Sequence, residues 1–394
     1  MKRHTFALVA VVLIAAVVAA VEIPACSELD RRAGRYRVER ATVEGLERAY
    51  RRPVLEQPLD QNAALWYARA LPNLSKVRLT DLKPALDAGA ALYDPATEAL
   101  LSGACAEIDG EAVRTALRCS SCDWRLGFDA QSLNRFVHAR EALTLSRCFT
   151  IAGHRSGHRQ ELQAAARRYL EGLAVACDLG NGSATMLVVA IGAAGENLRA
   201  LGKLAAGAND DVFLRHAASD LADFEQTLPS AHVPLLRERL WSQNIVALNQ
   251  LENAGSPGLK LLGLNQVIGV RALVAEDGLF ADAARLPDIA SRTDGAQIAE
   301  RLKADVAASG NEIVRSLNLP QAALIATSGV ELRGLFHAVQ AAIELQQSKL
   351  EHGTYPPDGS ALSVDLGRDE IRYERSLSGQ GYKLIGPRST LIER

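Results

Sequence analysis

Cys119 and Cys122, two cysteines separated by two residues, form the sharpest chemical motif in this sequence. Such a pair exchanges disulfides when a helix N-terminus stabilises one thiolate within a thioredoxin-like βαβ unit, but the surrounding sequence predicts helices only. Both cysteines lie in a polar, irregular stretch, where a disulfide persists if the chain reaches an oxidising compartment. The motif therefore indicates a structural disulfide or two unpaired thiols rather than a redox centre.

A zinc site can be drawn from these cysteines and three further side chains. The candidate ligands are Cys119, Cys122, Cys148, His154 and His158. Zinc binds thiolate and imidazole groups, but two histidines four residues apart are not specific for it. Gly153 and Gly157 predict that both histidines lie in a turn between two helices, where Arg155 and Arg159 would repel a cation. Solvated loop histidines are the favoured interpretation, and no metal is assigned.

Other motifs for catalysis or cofactor binding are incomplete or missing. Gly180-Asn181-Gly182-Ser183 resembles a phosphate cradle before a helix. It lacks the lysine of a P-loop and the strand that precedes a dinucleotide site, so it indicates a helix end followed by Ser183 as the next N-cap. The signatures of common serine hydrolases, zinc proteases and penicillin-binding proteins do not occur. No catalytic residue, cofactor-binding residue or cofactor is predicted.

The composition describes a chain that buries a full core and carries almost no net charge. Its 394 residues suffice for two or three domains, and 48% of them are hydrophobic against 23% charged. A net charge of −2 provides no overall field for nucleic acid, so nucleic-acid binding is disfavoured. With aromatic residues at only 5% and abundant alanine and leucine, the composition favours helices packed on helices.

An apolar run, Phe6–Val21, follows a cationic start to the chain. As a helix these sixteen residues would rise about 24 Å, a marginal span for a hydrocarbon core about 30 Å thick. The pattern also describes a signal peptide cleaved after Ala20, and a lipoprotein acylated at Cys26 is a third interpretation. We favour the signal anchor, and each interpretation exports the body of the chain.

Proline, glycine and changes in polarity divide the chain into four predicted segments. These are a signal anchor or signal peptide at 1–22, a stalk at 23–57, a helical-array domain at 58–330 and a C-terminal helix with a β-hairpin at 331–394. The array is expected to begin with Asp60 as the N-cap of its first helix. Two long helices follow, from Leu133 to about Ile151, broken by Gly153, and from Gln160 to Leu179 with one continuous apolar stripe.

Such an antiparallel helix pair is the unit of tetratricopeptide-like solenoids, but the repeat signature of that class is not found. In the C-terminal segment an amphipathic helix, Glu331–Leu350, precedes alternating residues at Glu370–Arg375 and Tyr382–Ile385, which predict a β-hairpin packed on the helix. The predicted fold class is therefore mainly α, an irregular helical array of antiparallel helix pairs with a small C-terminal α+β tail.

Several short stretches carry a family resemblance. They are Asn62-Ala63-Ala64-Leu65-Trp66-Tyr67, Cys122-Asp123-Trp124, the Gly-His-Arg-Gln-Glu-Leu start of a long helix, and Leu228-Pro229 before a helix. In this order they are similar to a group of uncharacterised single-pass bacterial envelope proteins with helical bodies. The stretches 343–357 and 381–384 resemble the helix-to-loop region of type II secretion pseudopilins. A pilin processing site before a membrane helix is missing, so the chain is not a pilin subunit.

The resemblance implies a bacterial inner-membrane protein that crosses the membrane once, through residues 6–21, with its body in the periplasm. Because stacked helix pairs leave a long groove, we expect a protein-binding or scaffold module for other envelope proteins or peptides. Two alternatives stay open: an accessory component of type II secretion or pilus-like machinery, and an enzyme whose site has no recognisable motif. A binding role is favoured over an enzymatic one.

Overall fold

A computed structural model describes most of the chain. It covers residues 27, 31, 34–91, 94–124, 139–229, 233–234, 236–237, 240, 292–308, 319–387 and 389–394. The predicted membrane segment at 6–21, Cys26 and the part of the predicted helical domain at 241–291 lie outside the described residues.

The described chain is mainly helical with two small sheets, which confirms the predicted fold class. The helices are α1 (34–49), α2 (Ala63–Ala70), α3 (Leu79–Ala88), α4 (Pro95–Ser102), α5 (Glu111–Arg118), α6 (Ala139–His158), α7 (Leu162–Gly180), α8 (Ala184–Gly207), α9 (Asp211–Ala222), α10 (Arg292–Ala308) and α11 (Leu319–His352). The strands are β1 (Leu59–Asn62), β2 (Cys119–Ser121), β3 (Arg372–Arg375), β4 (Tyr382–Ile385) and β5 (Thr390–Glu393).

The centre of the body is a bundle in which α6, α7 and α8 pack on one another and α11 packs on α8. Small side chains on the facing surfaces allow the helix backbones to approach closely. Fully buried alanines of this kind are Ala165, Ala176, Ala194, Ala205, Ala338, Ala341 and Ala342. The smaller elements α2 to α5 surround the α6 side of the bundle and share a second apolar cluster with it.

Gly153 lies inside α6, which runs without a break to His158, so the predicted helix end at this glycine is wrong. A Cβ atom at Gly153 would lie 2.2 Å from Cε1 of Tyr169, far closer than any real contact. The missing side chain lets the Tyr169 ring of α7 lie against the α6 backbone. The glycine therefore marks a close helix approach, a role that its sequence neighbours do not reveal.

Asn62, rather than the predicted Asp60, caps the first helix of the body. Its side-chain oxygen accepts a hydrogen bond from the Ala64 amide at 3.1 Å. Asp60 lies two residues too early, in β1, which pairs in parallel with β2. The Asn62 amide also donates to the Asp123 carbonyl at 2.7 Å, so one side chain both begins α2 and holds the residues that follow β2.

The second half of the predicted stalk belongs to the body. Val43 of α1 is buried, and Glu47 of the same helix forms a buried ion pair with Arg237. Beyond α1, Arg52 is only 4% exposed and reaches the bundle. The polar sequence of this segment indicated a stalk, whereas Glu47 and Arg52 are paired with residues far along the chain.

The C-terminal tail shares its core with the helical body. The predicted hairpin is present as β3 and β4 in antiparallel register, and β5 adds a third strand beyond it. Ile392 of β5 packs at Gly202 of α8, where a Cβ atom would lie 2.6 Å from its Cδ1. The helix predicted to start at Glu331 begins at Leu319. One apolar cluster therefore joins α7, α8, α11 and the sheet.

Within the described residues one helix, Ala184–Gly207 (α8), is long and apolar enough to cross a bilayer. Of its most apolar window, 61% is buried inside the protein. A core helix of a soluble body passes the same test, so α8 is weak support for a membrane location.

Candidate functional site

Cys119 and Cys122 are unpaired thiols, one of the two states that the sequence left open for them. The disulfide joins Cys105 to Cys148, whereas the candidates Cys119 and Cys122 both carry free, buried thiols. Cys119 donates a hydrogen bond to the Thr115 carbonyl at 3.3 Å. Burial raises the pKa of both thiols, for Cys122 well above its usual value with a further contribution from Asp178. Neutral, enclosed thiols are poor nucleophiles and poor metal ligands, which argues against a redox or zinc role.

The five metal candidates do not come together. Cys148 is bound in the disulfide, and the described residues contain no group of three or more His, Cys, Asp or Glu side chains that could hold a metal ion. His154 and His158 lie on the last two turns of α6, not in the predicted turn, because α6 continues through both glycines. His158 is exposed and its Nδ1 lies 3.1 Å from the Ala90 carbonyl.

His154 faces a cleft between α3 with the following residues 89–91 on one side and α6, α7 and α8 on the other. The cleft has a volume of about 750 Å³, which is within the range of ligand pockets, about 300–1,000 Å³. It combines a leucine-lined wall with charged side chains at its rim. The sequence did not indicate it, because its two sides are far apart along the chain.

The described lining of the cleft has two more positive than negative side chains. Its cations are Lys83, Arg147, Arg199 and Lys203, and its carboxylates are Asp87 and Glu196. Both carboxylates are already paired: Asp87 lies 2.8 Å from Lys83 Nζ, and Glu196 accepts two hydrogen bonds from Arg147, at 2.6 and 2.9 Å. Arg199 and Lys203 make no ion pair with any described residue. The cleft therefore holds two positive charges that no described side chain neutralises.

A buried polar network fixes the helices beneath the cleft. The Asn197 amide of α8 donates to Ser146 Oγ of α6 at 2.9 Å, and Ser146 Oγ donates to the Gly172 carbonyl of α7 at 2.9 Å. Thr150 Oγ1 lies 3.0 Å from Asn197 Oδ1. A Cβ at Gly172 would lie 2.3 Å from Asn197 Oδ1, so the glycine makes room for the network. Because these groups satisfy one another, they hold the walls in place.

His154 is held as a neutral ring by its surroundings. Its Nδ1 lies 2.9 Å from the Tyr169 hydroxyl, and the Leu86 backbone makes a further hydrogen bond with the ring. Burial and then the charge of Lys203 lower the pKa of His154 to about 4, with the Leu86 contact acting in the opposite direction. A neutral imidazole with polar partners on two sides ties α3 to α6 and α7 across the floor of the cleft.

We expect His154 to make the protein less stable as the pH is lowered. The pKa of His154 is about 4 in the folded protein and about 6.5 in the unfolded chain. Above about pH 6.5 neither state binds the proton, and between there and about pH 4 only the unfolded chain does. Stability should therefore be lost on acidification through this window, by about 3 kcal/mol. The measurement is the free energy of unfolding by urea at several pH values, for the parent and for His154→Gln.

The His154→Gln variant should lack this part of the pH dependence. The difference between the parent and this variant separates the contribution of His154 from that of the carboxylates. His158→Gln, on the exposed side of the same helix, is the matched control and should follow the parent. Equal pH dependence in the parent and in His154→Gln would contradict the assignment.

Asp178 is the second polar centre, and it is completely enclosed. Arg52 Nε lies 2.8 Å from its Oδ1, Tyr67 donates to Oδ2 at 2.9 Å, and Tyr50 donates to Oδ1 at 3.3 Å. Trp124, stacked on Tyr67, donates its indole N–H to the Asp178 carbonyl at 2.7 Å. Burial raises the pKa of the carboxyl, while Arg52 and the tyrosine hydroxyls act against this. No solvent reaches the group, so its role is structural.

Sequence reasoning identified neither the cleft nor the buried cluster around Asp178. A signal for Asp178 was present, since it is a carboxylate between Cys177 and Leu179 at the end of the apolar stripe of α7. A charge on a buried helix face requires a partner of opposite charge. Nothing in the sequence identified that partner as Arg52.

The fold and the site define the class of protein: a mainly helical body with a small antiparallel sheet, carrying a basic cleft between its helices. Comparisons with protein-family models, with curated proteins and with solved structures find no match for this chain. The resemblances to bacterial envelope proteins and to pseudopilins therefore stay predictions.

Proposed function

We propose that this chain is an envelope-anchored binding module whose helical body holds partner proteins or peptides in the cleft between α3 and α6 to α8. The observation that carries the proposal is the cleft itself, with a large open volume, walls fixed by a satisfied polar network, and two cations that form no ion pair within the described part of the chain. Such a site suits recognition of a ligand by shape and charge.

Binding is favoured over catalysis because the carboxylate and imidazole groups in the described lining of the cleft are engaged. Glu196 is held by Arg147 and Asp87 by Lys83, and His154 has partners on two sides. A general base needs a free lone pair within reach of a substrate proton. In the described lining each group of this kind already serves another side chain.

The proposed location is the periplasmic side of a bacterial inner membrane, with attachment through residues 6–21. The disulfide between Cys105 and Cys148 supports export, because such bonds persist in oxidising compartments and are rare in the cytosol of mesophiles. The partners would accordingly be other envelope proteins or peptides.

The alternative role in secretion machinery rests on residues 343–357 and 381–384, which form the end of α11, the following loop and most of β4. Ile343, Tyr355 and Leu384 of these stretches are buried in the core shared with α7 and α8. A deletion of residues 331–394 would therefore expose the core of the whole body, and a loss of secretion after it would not identify a secretion role. For this reason the secretion role is not the one we propose.

The proposal is tested by selecting peptides from a randomised display library on the full chain in detergent and measuring their affinity for three variants. Thr80→Trp and Ala91→Trp narrow the cleft from its exposed rim, whereas Val212→Trp places the same side chain on the exposed face of α9. We expect the selected peptides to bind the parent and Val212→Trp equally and the two cleft variants about tenfold more weakly. Equal binding to all variants, or no selected peptide, would refute the proposal.

A further inference from the structure

We infer that the segment held in the cleft is an acidic peptide, with two carboxylates placed against Arg199 and Lys203 and apolar side chains against the leucine wall. This inference rests on the proposed function, because it names the chemistry of the partner at that same site. The inference goes beyond the proposed function by choosing among the ligands that a cleft of this size could hold.

Arg199 and Lys203 are positioned to act together. They are four residues apart on α8, so they occupy one face of the helix, where the Cβ atoms of such neighbours lie about 5–6 Å apart. Both are exposed, both line the cleft, and neither makes an ion pair with a described residue. The other two cations of the lining already hold Asp87 and Glu196. The pair is therefore the part of the lining that calls for external negative charge.

The leucines of the cleft require apolar groups in the ligand, in addition to the negative charge that Arg199 and Lys203 require. Four half-buried leucines line the cleft from three helices: Leu79, Leu86, Leu162 and Leu204. A ligand that satisfied only the cations would leave this apolar surface in water, and one that satisfied only the leucines would leave the cations facing it. The two features together fit a ligand that alternates carboxylate and aliphatic groups.

A peptide meets these requirements better than an isolated anion or a lipid. The cleft is much larger than one phosphate ion, at about 750 Å³. Its lining also includes the exposed polar side chains of Thr80 and Gln160, which suit peptide amides and do not suit an acyl chain. Acidic side chains flanking aliphatic ones supply all three kinds of group in one short segment.

The inference is tested with a blocked hexapeptide, Ala-Glu-Leu-Leu-Glu-Ala, carrying an uncharged dye. Its matched controls replace both glutamates by glutamine or both leucines by serine. Binding to the full chain is measured by fluorescence anisotropy at low salt, about 50 mM, where charge contributes most. We expect the acidic peptide to bind about tenfold more tightly than either control and to weaken as salt is added.

The protein variants assign this preference to its residues. Arg199→Gln combined with Lys203→Gln should reduce the preference for glutamate over glutamine to about twofold or less, with an unchanged unfolding midpoint, because both side chains are exposed and make no ion pair among the described residues. Arg114→Gln combined with Arg215→Gln removes the same charge outside the cleft and should behave as the parent. Loss of the preference in both double variants would overturn the inference.

Two further outcomes separate the inference from the proposed function. If the glutamine peptide binds the parent as tightly as the acidic one and Thr80→Trp weakens both, the cleft binds peptides without charge selection, and only the inference falls. If no peptide binds, while vesicles containing phosphatidylglycerol or inorganic phosphate bind through Arg199 and Lys203, the inference and the proposed function fall together.

Discussion

Replacement of Asp178 by alanine is expected to lower the free energy of unfolding by about 3–5 kcal/mol. The carboxylate is fully buried and holds Arg52, Tyr50 and Tyr67 at once, so its removal leaves a buried guanidinium and two hydroxyls without their acceptor. The remaining contacts of Arg52, to the carbonyls of Pro53, Ala116 and Leu117, do not neutralise its charge. The measurement is urea denaturation followed by circular dichroism.

Asp87→Ala provides the matched control. Asp87 makes the same kind of ion pair, with Lys83 at 2.8 Å, but both side chains are more than half exposed. Its loss should cost about 0–1 kcal/mol. The double variant Arg52→Met with Asp178→Leu should recover much of the lost stability, because a buried pair can be replaced by apolar groups at little cost. Equal effects of Asp178→Ala and Asp87→Ala would show that the centre is not buried as described.

Removal of the disulfide by Cys105→Ala with Cys148→Ala is expected to cost about 4 kcal/mol. The bond closes a loop between residues 43 apart in sequence, and chain entropy assigns about 4 kcal/mol to a loop of this length. It fixes the segment after α4 to the middle of α6, where both cysteines are fully buried. The parent should lose the same stability when a reductant is added, and the variant should not respond to it.

The control variant is Cys119→Ala with Cys122→Ala, which removes two buried sulfur atoms and no covalent link. It should keep the full response to reductant. Alkylation of the unfolded, unreduced chain followed by peptide mass mapping provides a second readout, and should label Cys119, Cys122 and Cys177 but not Cys105 or Cys148. A cross-linked Cys119–Cys122 peptide would contradict the structure and restore the pairing that the sequence suggested.

Local patterns predicted the elements whose structure depends on near neighbours. The apolar stripe of α7 repeats with the period of a helix, and α7 spans Leu162–Gly180 against a prediction of Gln160 to Leu179. The alternation predicted at Glu370–Arg375 and Tyr382–Ile385 likewise corresponds to β3 and β4. Gly153 misled the prediction because a glycine inside a helical pattern indicates either an end or a close contact. Only Tyr169, sixteen residues later, decides between them.

The features that depend on remote contacts could not be predicted. Asp178 requires a cationic partner, but the chain offers 44 lysines and arginines, and the one that binds it lies 126 positions away. Six cysteines permit many pairings, and the motif with the shortest spacing was not the one joined. The cleft depends on α3 and α8 lining the same space, although α8 lies about a hundred residues further along the chain.

The sequence by itself determined that this protein is mainly helical with a small C-terminal hairpin, because helix and strand periods are repeated within a few residues. Only the tertiary structure decided which cysteines bond, which arginine neutralises Asp178, and that Arg199 and Lys203 face a leucine-lined cleft with no counter-ion from the part of the chain that the structure describes. The physical reason is that burial and pairing are properties of contacts between segments far apart along the chain. A local pattern specifies which residues need a partner and does not specify which partner the fold supplies.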